Sequence, residues 1–195
     1  MSTDFDLYTI GHSNLPAERF LALLAHTGIT AVADVRSVPL SRRFPWFSGK
    51  ALAARLPSQG IGYLALGEVL GGRPRDSTLY CDGVADYEAM AATDEFRAGL
   101  DRAVAESRKS RLCLMCAERE PLDCHRCLLV ARALSERGIV AGHILASGTV
   151  EAHTATEERL IALGKGKPDL FADRPTLLAD AYRRRARAIA ARAKG

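Results

Sequence analysis

Apolar and polar positions along this chain fall into blocks that switch between two periods. Short, nearly unbroken apolar runs occur at 7–10 (L-Y-T-I), 29–35 (I-T-A-V-A-D-V), 61–66, 112–115 (L-C-L-M) and 139–145. Each ends on glycine or on charged and turn residues, as strands buried on both faces do. Between them, apolar residues recur at helical spacing. Phe20, Leu21, Leu23 and Leu24 lie within 16–26, and Met90, Phe96, Leu100 and Val104 within 87–109. Further helices are predicted over 50–59, 124–137, 157–163 and 176–193, with a turn at G-K-G-K-P (164–168) and a mobile, glycine-rich connection over 67–83. Strands alternating with helices predict βαβ units. The expected fold is an α/β three-layer sandwich, with a mainly parallel central sheet and helices on both faces. Residues 1–165 would form a single α/β domain and residues 166–195 a basic helical extension.

Charge changes this picture only locally. The chain has 195 residues and a formal net charge of +4. Residues 183–194 carry Arg183, Arg184, Arg185, Arg187, Arg192 and Lys194 with no acid between them, so the remainder is slightly acidic. The basicity belongs to the tail and does not support a nucleic-acid surface over the whole body. No apolar run reaches the roughly 20 residues that span a bilayer, so no membrane partner is expected. The start, M-S-T-D-F-D-L-Y, reads as polar residues entering a strand rather than as a leader. Five cysteines, an odd number, argue for a reducing compartment and a cytoplasmic protein. The oligomeric state is left open.

The richest stretch is R-L-C-L-M-C-A-E-R-E-P-L-D-C-H-R-C at 111–127. It reads as a strand, a tight loop and the first turn of a helix, the place where open α/β sheets put their ligands. Two CxxC pairs, Cys113/Cys116 and Cys124/Cys127, invite a zinc site. Positions i and i+3 of a strand face opposite ways, however, so a four-cysteine site is disfavoured and Cys113 and Cys127 read as core. Neither a metal nor a cofactor is called for. Cys116 ends the strand and Cys124 opens the helix, where a thiol of ordinary pKa about 8.5 can fall to about 7; the alternative for each is simple packing. Arg126 and His125 can hold an anion or serve internal ion pairs. Asp34 and Arg36 end the second strand as a functional pair or a fold-stabilising one, and Gly11-His12-Ser13 ends the first. The loop Ser41-Arg42-Arg43-Phe44-Pro45-Trp46-Phe47 mixes cations and aromatics, which suits base stacking or packing on its own domain.

The spaced motifs T-I-G-H-S (9–13), D-V-R-S-V-P-L-S-R (34–42), G-I-G-Y (60–63), L-G-G (70–72), C-A-E-R-E-P-L-D-C-H-R (116–126) and H-I (143–144) resemble the family catalogued as domain of unknown function 488. The segments at 92–100 and 148–153 fit it too. The resemblance covers about residues 8–165. It implies a shared set of Gly11, His12, Ser13, Asp34, Arg36, Arg42, Gly71, Gly72, Cys116, Glu118, Cys124, His125 and Arg126, and it implies no particular activity.

On a parallel sheet these positions should meet in one cleft. The expected function is an enzyme acting on an anionic substrate, phosphate-bearing and of the nucleotide or nucleic-acid kind. Cys116, Cys124, His12, His125, Glu118 and Asp34 would be catalytic, a thiolate among them the nucleophile of a transferase or hydrolase. Arg36, Arg42, Arg126, Ser13, Gly71 and Gly72 would bind substrate. The alternatives are a non-catalytic nucleic-acid-binding or accessory module, and a thiol redox switch. Walker A and dinucleotide glycine fingerprints are missing.

Overall fold

A computed structural model describes residues 5–164 and 173–193. A six-stranded sheet runs in the order β3-β2-β6-β1-β7-β8. Its strands are β1 (Leu7–Gly11), β2 (Ala31–Asp34), β3 (Gly62–Ala65), β6 (Leu112–Cys116), β7 (Ala141–Ile144) and β8 (Val150–Ala152), and a separate hairpin pairs β4 (Tyr80–Cys81) with β5 (Val84–Ala85). All ladders of the main sheet are parallel except β7 with β8. Register sets Gly11 beside Cys116 and Asp34 beside Met115, so β1, β2 and β6 end side by side.

Side chains alternate strictly across the sheet. Tyr8, Ile10, Val32, Cys113 and Met115 point to one face, covered by α1 (Ala17–His26) and α2 (Gly49–Arg55). Leu7, Ala31, Ala33, Leu112, Leu114 and Cys116 point to the other face. That side carries α3 (Gly67–Leu70), α4 (Tyr87–Ala91), α5 (Asp94–Ser107), α6 (Arg132–Ser135), α7 (His153–Leu163) and α8 (Arg174–Ile189). The result is the expected three-layer α/β sandwich. Cys113 and Cys116 accordingly lie on opposite faces, as period-2 geometry demands.

Several local expectations change. The connection over 67–83 holds α3, a 3-10 turn and β4 rather than plain coil. The helix expected over 87–109 breaks at Thr93, whose hydroxyl accepts from the Phe96 amide and caps α5. Strand β8 has no counterpart in the apolar pattern because it is a short, half-buried edge. The turn expected over 164–168 lies, beyond Gly164, outside the described residues.

The basic helix α8 is docked. Ala181 and Tyr182 are buried, while Arg183 pairs with Glu88, Arg185 with Asp123, Arg187 with Asp82 and Arg174 with Glu158. Its cations thus meet the carboxylates of the acidic body. Beneath it runs a buried chain of hydrogen bonds. Thr9 Oγ1 lies 2.8 Å from His143 Nδ1, His143 Nε2 3.0 Å from His153 Nδ1, and His153 Nε2 3.0 Å from Tyr182 Oη, which donates to Glu157 at 3.1 Å.

Burial pushes the His153 imidazole down to about 4 and His143 well down as well, the latter helped by the neighbouring His153, Arg126 and Arg159. A base whose folded pKa lies below its unfolded value binds more protons when unfolded, so its neutral form stabilises the fold above about pH 6.5. That stability drains away as pH falls toward 4. Denaturation midpoints measured between those values should drop steadily, and Tyr182→Phe should cost about 1–3 kcal/mol at pH 7 by leaving buried polar atoms unpaired.

Candidate functional site

The site is built where β1, β2 and β6 end. Directly after β6, the chain crosses over the end of β1, and Gly11 permits the crossing. A Cβ at Gly11 would stand 1.7 Å from the Glu118 carbonyl oxygen. A 3-10 turn over Pro121–Asp123 then leads to Cys124 in extended conformation (φ −138°, ψ 139°). A π-helical stretch, Arg126–Ala131, follows and runs into α6. Because Cys124 precedes the helix and His125 opens it, three consecutive side chains converge inward rather than splaying around a helix. Asp123, the last residue of that turn, pairs with Arg185. Wide π turns of this kind occur disproportionately at functional sites.

Arg126 is fully buried. Its Nη1 donates to the Glu118 carbonyl at 2.6 Å, Nη2 to the Arg119 carbonyl at 3.1 Å and Nε to Thr9 Oγ1 at 3.3 Å. The guanidinium is therefore committed to holding the loop, and its donors do not point into open space. Among the described residues it forms no salt bridge with a carboxylate.

Around it four reactive groups meet. Glu118 Oε2 lies 2.9 Å from Cys116 Sγ and 3.0 Å from Cys124 Sγ. His125 Nδ1 lies 3.6 Å from the first sulfur and 3.9 Å from the second. Its Nε2 faces the Val35 carbonyl at 2.9 Å, and since a carbonyl only accepts, Nε2 carries hydrogen. Gly72 shelves this ring, as a Cβ there would meet His125 Cβ and Cγ at 2.7 Å. At Gly71 a Cβ would strike Ser37 Oγ at 2.3 Å. Both glycines permit close approach, and Gly72 also lines the cleft over Cys116 and His125.

Electrostatics separates the two thiols. Cys116 is pushed up by its hydrogen bond to Cys124, by burial and by the nearby Glu118. Cys124 is opposed by burial, yet the hydrogen bond from Cys116, the Arg126 charge and His125 bring it well below the usual thiol range. Burial and the Cys124 thiolate raise Glu118. Position separates the thiols as well. A cleft of about 510 Å³ is walled by Arg36, Arg73 and Tyr87 and reaches Cys116, Glu118 and His125. Cys124 does not line the cleft, although both cysteines are buried.

The other residues singled out in the sequence form a neighbouring layer. Asp34 accepts from Arg36 Nε at 2.8 Å and Nη2 at 2.5 Å, and from the Tyr63 hydroxyl at 2.9 Å. Arg36 Nη2 also reaches the Phe47 carbonyl at 2.7 Å. His12 Nδ1 faces the Ser13 carbonyl at 2.9 Å, which leaves Nε2 to accept from Arg36 Nη1 at 3.0 Å. Burial and the Arg36 charge push His12 down to about 4, so it stands as a neutral strut at pH 7. Its ring stacks on Phe47 at 4.2 Å. The aromatic-basic loop thus packs on its own domain; Arg42 is exposed and away from the cleft walls. Ser13, at φ 45°, is part of the turn after β1. Ser37, Arg73 and Tyr87 were not foreseen as site residues, because nothing in their local sequence distinguishes them.

The arrangement makes Arg126 the fastening of the site. Arg126→Leu should lower stability by about 3 kcal/mol or more, since two buried carbonyls and Thr9 would lose a charged donor. Chemical denaturation measures the loss, while the same substitution at exposed Arg73 should stay within about 0.5 kcal/mol.

No curated protein and no solved structure matches the chain in comparison. Residues 16–133, more than half of its length, match the family described as Domain of unknown function DUF488. The matched segment contains Asp34, Arg36, both glycines of the L-G-G motif and the whole Cys116–Arg126 cluster. The chain belongs to the DUF488 family.

Proposed function

We propose that this chain is an enzyme acting on a small anionic substrate, phosphate-bearing in the first instance, held in the cleft above Cys116, Glu118 and His125. One observation carries the reading: an open cleft ends on a carboxylate, a thiol and an imidazole edge that lie within hydrogen-bond reach of one another. Clusters of this kind, with shifted acidities inside a concave site, mark catalytic centres. Arg73 at the mouth supplies the positive charge, the Arg36 guanidinium in the wall being paired with Asp34.

Glu118 is the group best placed to exchange a proton with a substrate. Its residue is exposed toward the cleft while its carboxylate rests on both sulfurs. Cys124, lying behind the cleft, acts on Glu118 and Cys116 rather than on substrate, so the attacking group is Cys116 sulfur or a water held against Glu118. Asp34, Arg36 and His12 keep this wall in place from the adjacent strands.

A second reading, a thiol redox switch, is favoured by the two sulfurs sharing one carboxylate oxygen. Reversible loss of two free thiols under mild oxidant, with a disulfide mapped to Cys116 and Cys124, would support it. A nucleic-acid module built on the C-terminal helix is favoured less, because α8 spends Arg174, Arg183, Arg185 and Arg187 on carboxylates of its own chain.

The test is turnover of a panel of phosphate, sulfate and carboxylate esters and nucleotides by the full chain. An anionic substrate should be found, and Glu118→Gln should lower kcat by about 100-fold or more, in the range of general acid–base catalysis. Cys81→Ser, altering the exposed thiol, should leave kcat unchanged. Equal turnover in Glu118→Gln, or a preference for neutral esters, would overturn the proposal.

A further inference from the structure

We infer that Cys116, Cys124, His125 and Glu118 form a binding site for a single zinc-class divalent cation at the foot of the cleft. The inference rests on the reading of this cluster as the reactive centre and assigns it a chemistry.

The first ground is geometric. One donor atom from each residue lies within 4.8 Å of the others. With metal–sulfur bonds near 2.3 Å and metal–nitrogen or –oxygen bonds near 2.0–2.1 Å, tetrahedral ligands stand about 3.3–3.8 Å apart. The observed sulfur–nitrogen distances of 3.6 and 3.9 Å already sit near that edge. The sulfur–oxygen distances of 2.9 and 3.0 Å need to open only slightly.

The second ground is the orientation of His125. Its Nε2 is fixed on the Val35 carbonyl, so its other ring nitrogen, Nδ1, faces the two sulfurs at 3.6 and 3.9 Å, and both sulfurs also meet one Glu118 oxygen. Two sulfurs, a nitrogen and an oxygen thus converge on one another, contacts that a cation at their centre would replace. Fixing one imidazole nitrogen on a backbone carbonyl so that the other can ligate is the usual outer-shell device of metal sites. The Arg126 amide, 3.5 Å from Cys124 Sγ, serves the thiolate in the same way.

A contrasting cluster shows what this pattern is not. Cys127, His143 and His153 are also close together, but both rings there are occupied along the Thr9-to-Glu157 hydrogen-bond chain. Their ring nitrogens face Thr9, Tyr182 and one another rather than the Cys127 sulfur.

Charge balance agrees. Two thiolates and a carboxylate around a dication leave one net negative charge, and the buried guanidinium of Arg126 beside the loop answers it. Any proton still held on a sulfur passes to solvent as its sulfur–metal bond forms, so binding is a ligand exchange with no redox step. Two thiolates and an imidazole select zinc over magnesium or calcium. Cys116, Cys124 and His125 would be the permanent ligands. Glu118 faces the cleft and is the displaceable fourth, the position that catalytic zinc sites leave for water or substrate.

The experiment uses the untagged full chain, purified without chelator. Elemental analysis should find about one zinc per chain. The stripped protein should take up cobalt(II) with the visible and thiolate charge-transfer bands of tetrahedral sulfur coordination. Zinc should protect two thiols from alkylation, mapped to Cys116 and Cys124. Cys124→Ser should weaken zinc binding by at least about 100-fold, beyond what outer-shell changes cost. Should Cys124→Ser fail to fold, Glu118→Gln must still bind cobalt with an altered spectrum. Wild-type protein that takes up neither ion, or whose Cys116 and Cys124 alkylate equally fast with and without zinc, would overturn the inference. So would full zinc occupancy in Cys124→Ser, which would place the ion elsewhere. Zinc bound as described in a protein that turns over no anionic ester would keep this site and remove the enzyme reading.

Discussion

The buried guanidinium of Arg126 is the interaction on which this structure depends. A charge placed wholly inside a protein is costly unless its donors are matched and a counter-charge is near. Here the donors are matched by two carbonyls of the 118–119 loop and by a hydroxyl of β1. That satisfies the fork and at the same time fixes the loop carrying Glu118 against the strand ending at Gly11. The counter-charge must come from the thiol and carboxylate cluster, because no carboxylate of the described residues pairs with Arg126 directly. Scaffold and reactive centre are therefore one electrostatic unit. The residues that look catalytic hold the arginine in place, and the arginine keeps them ionisable.

A second unit extends from the same arginine in the other direction. Thr9, which accepts from Arg126, begins the chain of hydrogen bonds through His143, His153 and Tyr182 to Glu157. It ends under α8, whose outward arginines clasp carboxylates spread over the body. Ile189, at the end of the helix, and Ala191, just past it, line the cleft. The C-terminal helix, expected as a basic helical extension, is bound to the site from below by buried polar groups and from outside by ion pairs.

Much of this was legible in the residues. Period-2 logic alone separated Cys113 from Cys116 and disfavoured a four-cysteine centre, because a strand turns positions i and i+3 to opposite sides. Alternating strand and helix signals required a parallel sheet, and a parallel sheet requires that strand ends gather on one edge. That placed His12, Asp34, Arg36 and the 116–126 segment together without any coordinates. The strong breaks were also visible, Gly28 and Gly138 at helix ends, where positive φ is needed (70° and 78°).

What only the tertiary structure decided is which partner each polar group takes. Sequence presents Arg36, Arg126 and His12 as cations or proton carriers facing a ligand. Packing turns Arg126 onto backbone carbonyls and Arg36 onto Asp34, and makes His12 a neutral acceptor, because burial punishes every unmatched charge. Reading the cysteines as two CxxC pairs hid the set that converges, which takes one cysteine from each pair and adds an acid and an imidazole across a loop. The π-helical opening and the close approach at Gly11 and Gly72 create that convergence, and neither has a periodic signature. Sequence determined the sheet and its working edge through local periodicity. Long-range packing, which alone fixes distances and desolvation, decided the chemistry of the site.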